Sequence, residues 1–374
     1  MDELQIIRMG AVDGQTMTNA FAVLAHSVST GRRGDTLVIC HAENPFANVG
    51  FHQSVDEEID LDYCRRNGIP VVRRLIGGGA IADGPWEEDY FLICSHSSPY
   101  VRGSIQEYYS RMLEPVAKVL DGVGIRATKQ GLNDLAVNGR KISANGAVDI
   151  ESARVLTGDI LLWLDVETMS SILKVPDAKF RDKLAKSMKE HLTSVENETG
   201  KRPDREGIDE AIISAFSQNY GRAFEDKLDS SELGLLMDYI RERSGDDWIF
   251  SRDMAAQRLR EGRLVKLREG AYLCRYDHKA QKLIRVTMLV EDGKIADIAF
   301  AGDFFTIPVN WSLRTLESEL TGAGLTMDEL RGKIESVLHR DGVTVLGASP
   351  EDFATAILRA SDHPEIRANR SRQR

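Results

Sequence analysis

The pair Asn138-Gly139 constrains this chain more than any other short feature, because it sits between the arms Asp134-Leu135-Ala136-Val137 and Arg140-Lys141-Ile142-Ser143. A type I′ turn needs positive φ at both central residues, and Asn-Gly tolerates this best, so the stretch specifies a tight β-hairpin. Lys141 sits one residue beyond the turn and is rigidly placed.

Upstream, the apolar run Ile69-Pro70-Val71-Val72 leads into Arg73-Arg74-Leu75-Ile76-Gly77-Gly78-Gly79-Ala80-Ile81. The β-branched residues predict a strand, and Gly77 to Gly79 permit backbone angles closed to other residues, so main-chain N–H groups can approach an anion. If the strand continues, Arg73 and Arg74 point to opposite sides: one toward a ligand, the other in support. On this motif alone, a loop with two solvated arginines is the competing reading.

Together, Arg73-Arg74-x-x-Gly77-Gly78-Gly79-Ala80, the later Asn133-Asp134-Leu135 and then Lys141-Ile142-Ser143 resemble the lipoate-protein ligase family, which is related to biotin ligases and octanoyltransferases. The resemblance implies an α+β fold, a biotin/lipoate ligase-like mixed β-sheet packed with helices, followed by a smaller α+β accessory domain. It also implies a chemistry: lipoate is activated by ATP as lipoyl-AMP, and the acyl group passes to a lysine of a lipoyl carrier domain.

That reaction brings a carboxylate up to a phosphate, so a fixed cation must offset the crowded negative charge. By resemblance Lys141 is this catalytic cation. The same resemblance assigns Arg73, Arg74, Gly77, Gly78, Gly79, Ile81, Asn133, Asp134, Ser143, Gly146 and Gly158 to lipoate and ATP, with Asp134 as the Mg2+ ligand. His52, in Asn48-Val49-Gly50-Phe51-His52-Gln53, lies at the end of the family's second strand, where it is either a ligand contact or a hydrogen-bonded structural residue. Departures are equally plain. Where the family shows an aromatic, His, Asp and later Gly-Asn, this chain has Ala82, Asp83, Gly84, Trp86 and Glu87; Thr157 replaces a common His, and Val148 a common Arg.

At 374 residues the chain exceeds one ordinary core, and a boundary is expected near residues 251–262, with a catalytic domain over 1–253 and an accessory domain over 263–374. Helices are expected at Gln15 to Thr30, Ser104 to Leu120 (kinked or restarted at Pro115), Ile208 to Phe216 and Ser231 to Glu242. Strands are expected at Thr36 to Cys40, Asp89 to Cys94 and Ile160 to Leu164, and a surface loop from Val195 to Gly207. Beyond the boundary, four short strands between Leu264 and Phe300 precede helices at Ser312 to Leu320, Met327 to Leu338 (with a Thr326-x-x-Glu329 capping box) and Glu351 to Leu358. Gly302-Asp303-Phe304-Phe305 resembles the family's accessory domain.

A net charge of −10 argues against a nucleic-acid partner. The four cysteines, Cys40, Cys64, Cys94 and Cys274, show no metal-ligand spacing, which suits a reducing compartment. Met1-Asp2-Glu3-Leu4 lacks the regions of a signal peptide, and no run approaches membrane-spanning length, so a cytoplasmic location without membrane contact is expected. Two other functions compete: a non-catalytic lipoate- or nucleotide-binding regulator, and an octanoyltransferase, which needs a cysteine near or after the lysine hairpin. No cysteine lies between Cys94 and Cys274.

Overall fold

The computed structural model describes residues 3–175, 180–253, 266–268, 270–309, 311–362 and 366, and divides into two compact units. The first comprises residues 1–48, 59–73 and 81–245; the second comprises 49–58, 74–80 and 246–374. The expected boundary at 251–262 falls largely on residues 254–265, outside the described residues.

The first unit is built on strands β1 (Glu3–Val12), β2 (Asp35–Ala42), β3 (Phe46–Val49), β4 (Val71–Arg73), β5 (Ile81–Asp83), β6 (Glu87–Ser95), β7 (Thr128–Gln130), β8 (Asp134–Val137), β9 (Arg140–Ser143), β10 (Asn145–Ile150), β11 (Ala153–Leu161) and β12 (Arg222–Glu225). Six of them form a central sheet in the order β10-β11-β6-β2-β1-β12, and two three-stranded sheets, β4-β3-β5 and β7-β8-β9, flank it. β1 runs parallel to β2 and β12, and the other central pairs are antiparallel. The sheet is therefore mixed, as expected.

Alternation along the strands explains the layers. Leu37, Ile39, Tyr90 and Leu92 face one side, where they share a core with Tyr108, Met112 and Val116 of α2 (Ile105–Gly122) and with Ile212 and Phe216 of α3 (Arg205–Ser217). Phe91 faces the other side and meets Phe21 of α1 (Gly14–Ser29), with ring centroids 5.5 Å apart. Against α1 lies α4 (Ser230–Arg243), whose first turn carries buried Glu232. Arg33 donates to Glu232 from Nε at 2.5 Å and from Nη2 at 2.6 Å, and to Asp226 at 2.7 Å. Burial by itself raises the Glu232 carboxyl, but the Arg33 guanidinium and the Asp229 N–H bring it below the usual range.

Some elements of this unit depart from the expectations or refine them. The stretch expected to be a loop from Val195 to Gly207 holds a short helix, Val195–Thr199, capped by Ser194 and ended by Gly200 at φ 73°, and α3 begins at Arg205. The strand expected at Ile160 to Leu164 starts at Ala153, because Val155 and Leu156 are buried against β6. Helix α2 passes through Pro115 without restarting, since residues before and after it, Met112 and Val116 among them, belong to one buried stripe. Strand β1 had no sequence expectation; its burial alternates poorly over Arg8 to Val12.

The second unit contains β13 (Lys266–Arg268), β14 (Ala271–Lys279), β15 (Leu283–Glu291) and β16 (Lys294–Gly302) as an antiparallel sheet. The pair β17 (Phe305–Ile307) and β18 (Thr344–Leu346) follows the same pattern. Helices α5 (Leu313–Leu320), α6 (Met327–Arg340) and α7 (Pro350–Ala360) cover the sheet around Phe300, Phe304 and Phe353. The expected capping box at α6 is absent: Thr326 makes no side-chain cap, and Glu329 accepts from the Gly324 N–H at 2.9 Å instead. Segments 49–58 and 74–80 pack with this unit, as Arg74 N–H to Val49 O and Phe51 N–H to Ile76 O, both 3.0 Å, illustrate.

Arg33→Ala would strand a carboxylate whose side chain is only 1% exposed. Urea unfolding at neutral pH should show a loss of about 3 kcal/mol, the cost typical of breaking one half of a buried pair. Because the Glu232 carboxyl titrates below its ordinary range in the folded state, that loss should shrink as acid protonates it.

Candidate functional site

Asn138 and Gly139 adopt φ of 51° and 78°, so the expected type I′ hairpin is present, with Val137 opposite Arg140 and Ala136 opposite Lys141. That register puts Lys141 on the face of Ala136 and Asp134, and its Nζ lies 2.9 Å from Asp134 Oδ2. Both side chains keep part of their surface in solvent, at 36% and 25% exposure. The Lys141 carbonyl also accepts the Thr193 N–H at 2.8 Å. A lysine held this way is a preorganised cation that an arriving polyanion can draw from its carboxylate.

Around it, the other residues expected in this unit fall into two groups. Asn133 donates its side-chain amide to the Asn145 carbonyl, and Ser143, fully buried, accepts from Asn145 Nδ2 at 3.1 Å. Gly146 and Gly158 are paired strand residues in β10 and β11. A Cβ on Gly158 would lie 2.2 Å from Asn145 Oδ1 and 2.3 Å from the Tyr90 hydroxyl oxygen, so this glycine is explained by protein packing. Arg73 is buried at the end of β4, whereas Ile81, on β5, leaves 44% of its surface exposed.

The glycine loop belongs to the second unit. Arg74 Nη2 donates to the carbonyls of Gly77 at 2.9 Å and Gly79 at 2.7 Å, closing the loop on itself. Gly78 has φ 94°, which only glycine adopts without strain. A Cβ on Gly77 would come within 2.5 Å of the Phe304 carbonyl oxygen, and one on Gly50 within 2.0 Å of the Gly78 oxygen. His52 is buried there, its Nε2 2.9 Å from Thr306 Oγ1 and its ring stacked on Phe304, which is the structural alternative of the two given for it.

Sequence reasoning missed a row of carboxyl groups beside the hairpin. Asp89 and Asp159 stand opposite each other on β6 and β11; Glu87 lies two residues from Asp89 on the same face, and buried Asp83 accepts from Asn48 Nδ2 at 2.6 Å. Ala144, next to Ser143, donates its N–H to Asp159 Oδ1 at 3.0 Å. Desolvation, then Asp83, pushes Glu87 and Asp89 well above the carboxylate range. Asp159 is raised by desolvation to about 7 despite the opposing Ala144 N–H and Lys141. The chain spacing of Asp83, Glu87 and Asp89 was visible, but Asp159 joins them only through sheet pairing. Val148, where an arginine is common, is buried, and Thr157 Oγ1 reaches the Gly146 carbonyl at 3.5 Å. Among the described residues, no group of three or more His, Cys, Asp or Glu is arranged to hold a metal, and no helix is long and apolar enough to cross a membrane.

The mixed sheet with helices on both faces is a fold this chain shares with a solved lipoate protein ligase. The family description "Lipoyl protein ligase A/B catalytic domain" matches residues 19–217, and the chain belongs to the lipoate-protein ligase family. Lipoate-protein ligase A subunit 1 of Thermoplasma acidophilum is 29% identical over 212 residues, 54% of this chain and 79% of that protein. Octanoyltransferase LipM of Kyrpidia tusciae is 25% identical over 249 residues, 60% of this chain and 90% of its own. The structure described as an archaeal bi-partite lipoate protein ligase and its E2 lipoyl domain, from T. acidophilum, aligns with a TM-score of 0.60 at 26% identity, over 67% of this chain and 97% of that one. The relatives thus include both ligases and octanoyltransferases.

The raised Asp159 carboxyl gives a testable sign. A folded value near 7 against an ordinary value of 3.8 means the native state holds the extra proton between those limits, so stability falls as pH rises through that window. Chemical denaturation from pH 4.5 to 7.5 should show this decline in the wild type. Asp159→Asn should flatten it by up to about 1.4 kcal/mol per pH unit.

Proposed function

We propose that this chain is an ATP-dependent lipoate-protein ligase, forming lipoyl-AMP from lipoate and ATP and transferring the lipoyl group to a lysine of a lipoyl carrier domain. The observation that carries the reading is Lys141, fixed by a type I′ turn and held 2.9 Å from Asp134. Its ammonium would leave Asp134 for the phosphate oxygens and stabilise the charge that builds as the carboxylate attacks. The archaeal ligase structure that includes an E2 lipoyl domain supports a carrier domain as acceptor.

The rival octanoyltransferase needs a thiolate to hold the acyl group. All four cysteines are buried, and burial raises Cys40 and Cys94 well above the usual thiol range and Cys64 and Cys274 to about 11. None is poised as a nucleophile at neutral pH. A ligase needs none, because the acceptor lysine attacks the adenylate directly.

The glycine loop closed by Arg74 would present backbone N–H groups to the adenylate, with Arg73, Gly77, Gly78, Gly79 and Ile81 as the proposed contacts of lipoate and nucleotide. In the first unit, Asn133, Ser143, Gly146 and Gly158 would shape the site about Lys141. Magnesium characteristically keeps several waters and takes one or two protein carboxylates plus substrate phosphates. A single carboxylate at Asp134, a quarter exposed, fits an ion carried in on ATP, and Asp134 would hold it; the ion would neutralise phosphate charge.

Isotope exchange from labelled pyrophosphate into ATP, dependent on lipoate, tests the reading, since a binder or a thiol-dependent transferase does not catalyse it. Lys141→Ala should keep the fold and reduce exchange by about a hundredfold, near 3 kcal/mol of transition-state stabilisation. Wild-type exchange in the folded variant would remove Lys141 from the mechanism. Treating the native protein with iodoacetamide should leave exchange and transfer intact; inactivation at a single alkylated cysteine would point to the octanoyltransferase instead.

A further inference from the structure

Tyr90 on β6, Gly158 on β11 and Asn145 on β10 stand opposite one another across three adjacent strands. Because the middle residue has no side chain, its neighbours meet over it, and the Tyr90 hydroxyl donates to Asn145 Oδ1 at 2.5 Å. That bond orients the amide. Nδ2 of Asn145 then donates to Ser143 Oγ at 3.1 Å, while its main-chain carbonyl accepts the Asn133 side chain. Tyr90 and Ser143 have no exposed surface and Asn145 has 6%, so the group is shielded from competing water.

The position of this group in the fold gives it a mechanical role. The hairpin sheet β7-β8-β9 and the central sheet are separate hydrogen-bonded sheets, and the chain passes from β9 to β10 through Ala144 alone. A small two- or three-stranded sheet has little rigidity of its own, so its pose must be set by what it is fastened to. Asn133 precedes β8 and Ser143 ends β9, and both are fastened to Asn145, which is fastened to the central sheet at Tyr90. Ala144 adds its backbone pairing with Asp159, the Asp159 N–H reaching its carbonyl at 3.1 Å. Lys141 lies two residues from Ser143.

We propose that Tyr90 and Asn145 are positioning residues, which fix the pose of Lys141 by bracing the hairpin against the central sheet over the gap left by Gly158. The proposal rests on the ligase reading for the consequence of that pose, and it reassigns Asn133 from nucleotide contact to part of the brace. A buried, fully satisfied polar network rigidifies what it joins, and displacement of a reacting group by an ångström slows chemistry without abolishing binding. Loosening the brace should therefore lower the rate constant of adenylation more than the apparent affinity for ATP.

The test uses the full chain and the variant Tyr90→Phe, which deletes one hydroxyl, with two readouts. Lipoate-dependent pyrophosphate exchange should lose about tenfold in kcat with KM for ATP within about twofold. Hydrogen exchange of the backbone amides of residues 134–143, measured without any ligand, should become faster. A folded variant with wild-type kcat overturns the proposal, as does one whose kcat falls while the hairpin amides keep wild-type protection. If Tyr90→Phe does not fold, Asn145→Asp keeps the acceptor for Tyr90 but loses the donor to Ser143, and the same outcomes apply. Failure of the wild type to exchange pyrophosphate would sink the ligase reading; the brace itself would then stand or fall on the hydrogen-exchange result.

Discussion

The register imposed by one two-residue turn governs where Lys141 lies in the first unit. A type I′ turn leaves no slack between β8 and β9, so Ala136 faces Lys141, and Asp134 becomes the diagonal neighbour of the lysine. Slipping the pairing by one residue would send Lys141 to the opposite face and leave Asp134 without its cation. A bulge follows at once, between the pairs Ala136/Lys141 and Leu135/Ser143, and it turns Ser143 inward, where Asn145 meets it. The turn, the bulge and the buried amide are successive consequences of the same local geometry.

Electrostatics around that hairpin are set by the sheet beneath it. Four carboxyl groups, Asp83, Glu87, Asp89 and Asp159, lie near one another, and the neighbours that offset them include the Asn48 amide, the Gly84 and Ala144 N–H groups, Lys141 and Arg205. Desolvated charges of one sign cannot all persist, so protons are retained, and the direction of every resolved shift in the row is upward. Lys141 therefore has two carboxyl neighbours, Asp134 at 2.9 Å and Asp159, which titrates near neutrality. Its field depends on pH more than that of an isolated surface lysine would.

Local features of this molecule were legible in the sequence, and features made by pairing were not. The I′ turn, α1, α2, α4 and the sheet and helices of the second unit follow from short-range periodicity and punctuation, so the expected ranges match the elements found. The strand β4 ends at Arg73, so alternation does not carry to Arg74: Arg73 is buried, and Arg74 folds back onto its own loop. By contrast, Gly158 looked like a position that lets a ligand approach backbone. Its neighbours across the sheet, Tyr90 and Asn145, lie 68 and 13 residues away in the chain, so no sequence window contains the reason for it. The same holds for Gly50 and Gly77, whose missing side chains make room for Gly78 and Phe304.

The cysteines bear on energetics as well as on identity. Joining an acyl group to a lysine amine requires an activated acyl group, either a thioester passed to a cysteine from a donor that is already activated or, starting from the free acid, an anhydride with a nucleotide. A thioester route demands a sulfur that ionises near pH 7 and can be reached. Here Cys40 and Cys94 are strand residues packed in the central sheet, Cys64 lies in the short helix Leu61–Asn67, and Cys274 is in β14; burial disfavours the thiolate at every one. In the proposed function, a lysine held at a hairpin beside a carboxylate would supply what the nucleotide route asks for. The two routes thus make opposite demands on the same sheet: one needs an accessible soft nucleophile, the other a rigid hard cation, and the buried cysteines together with Lys141 are the reason the function proposed above takes the second.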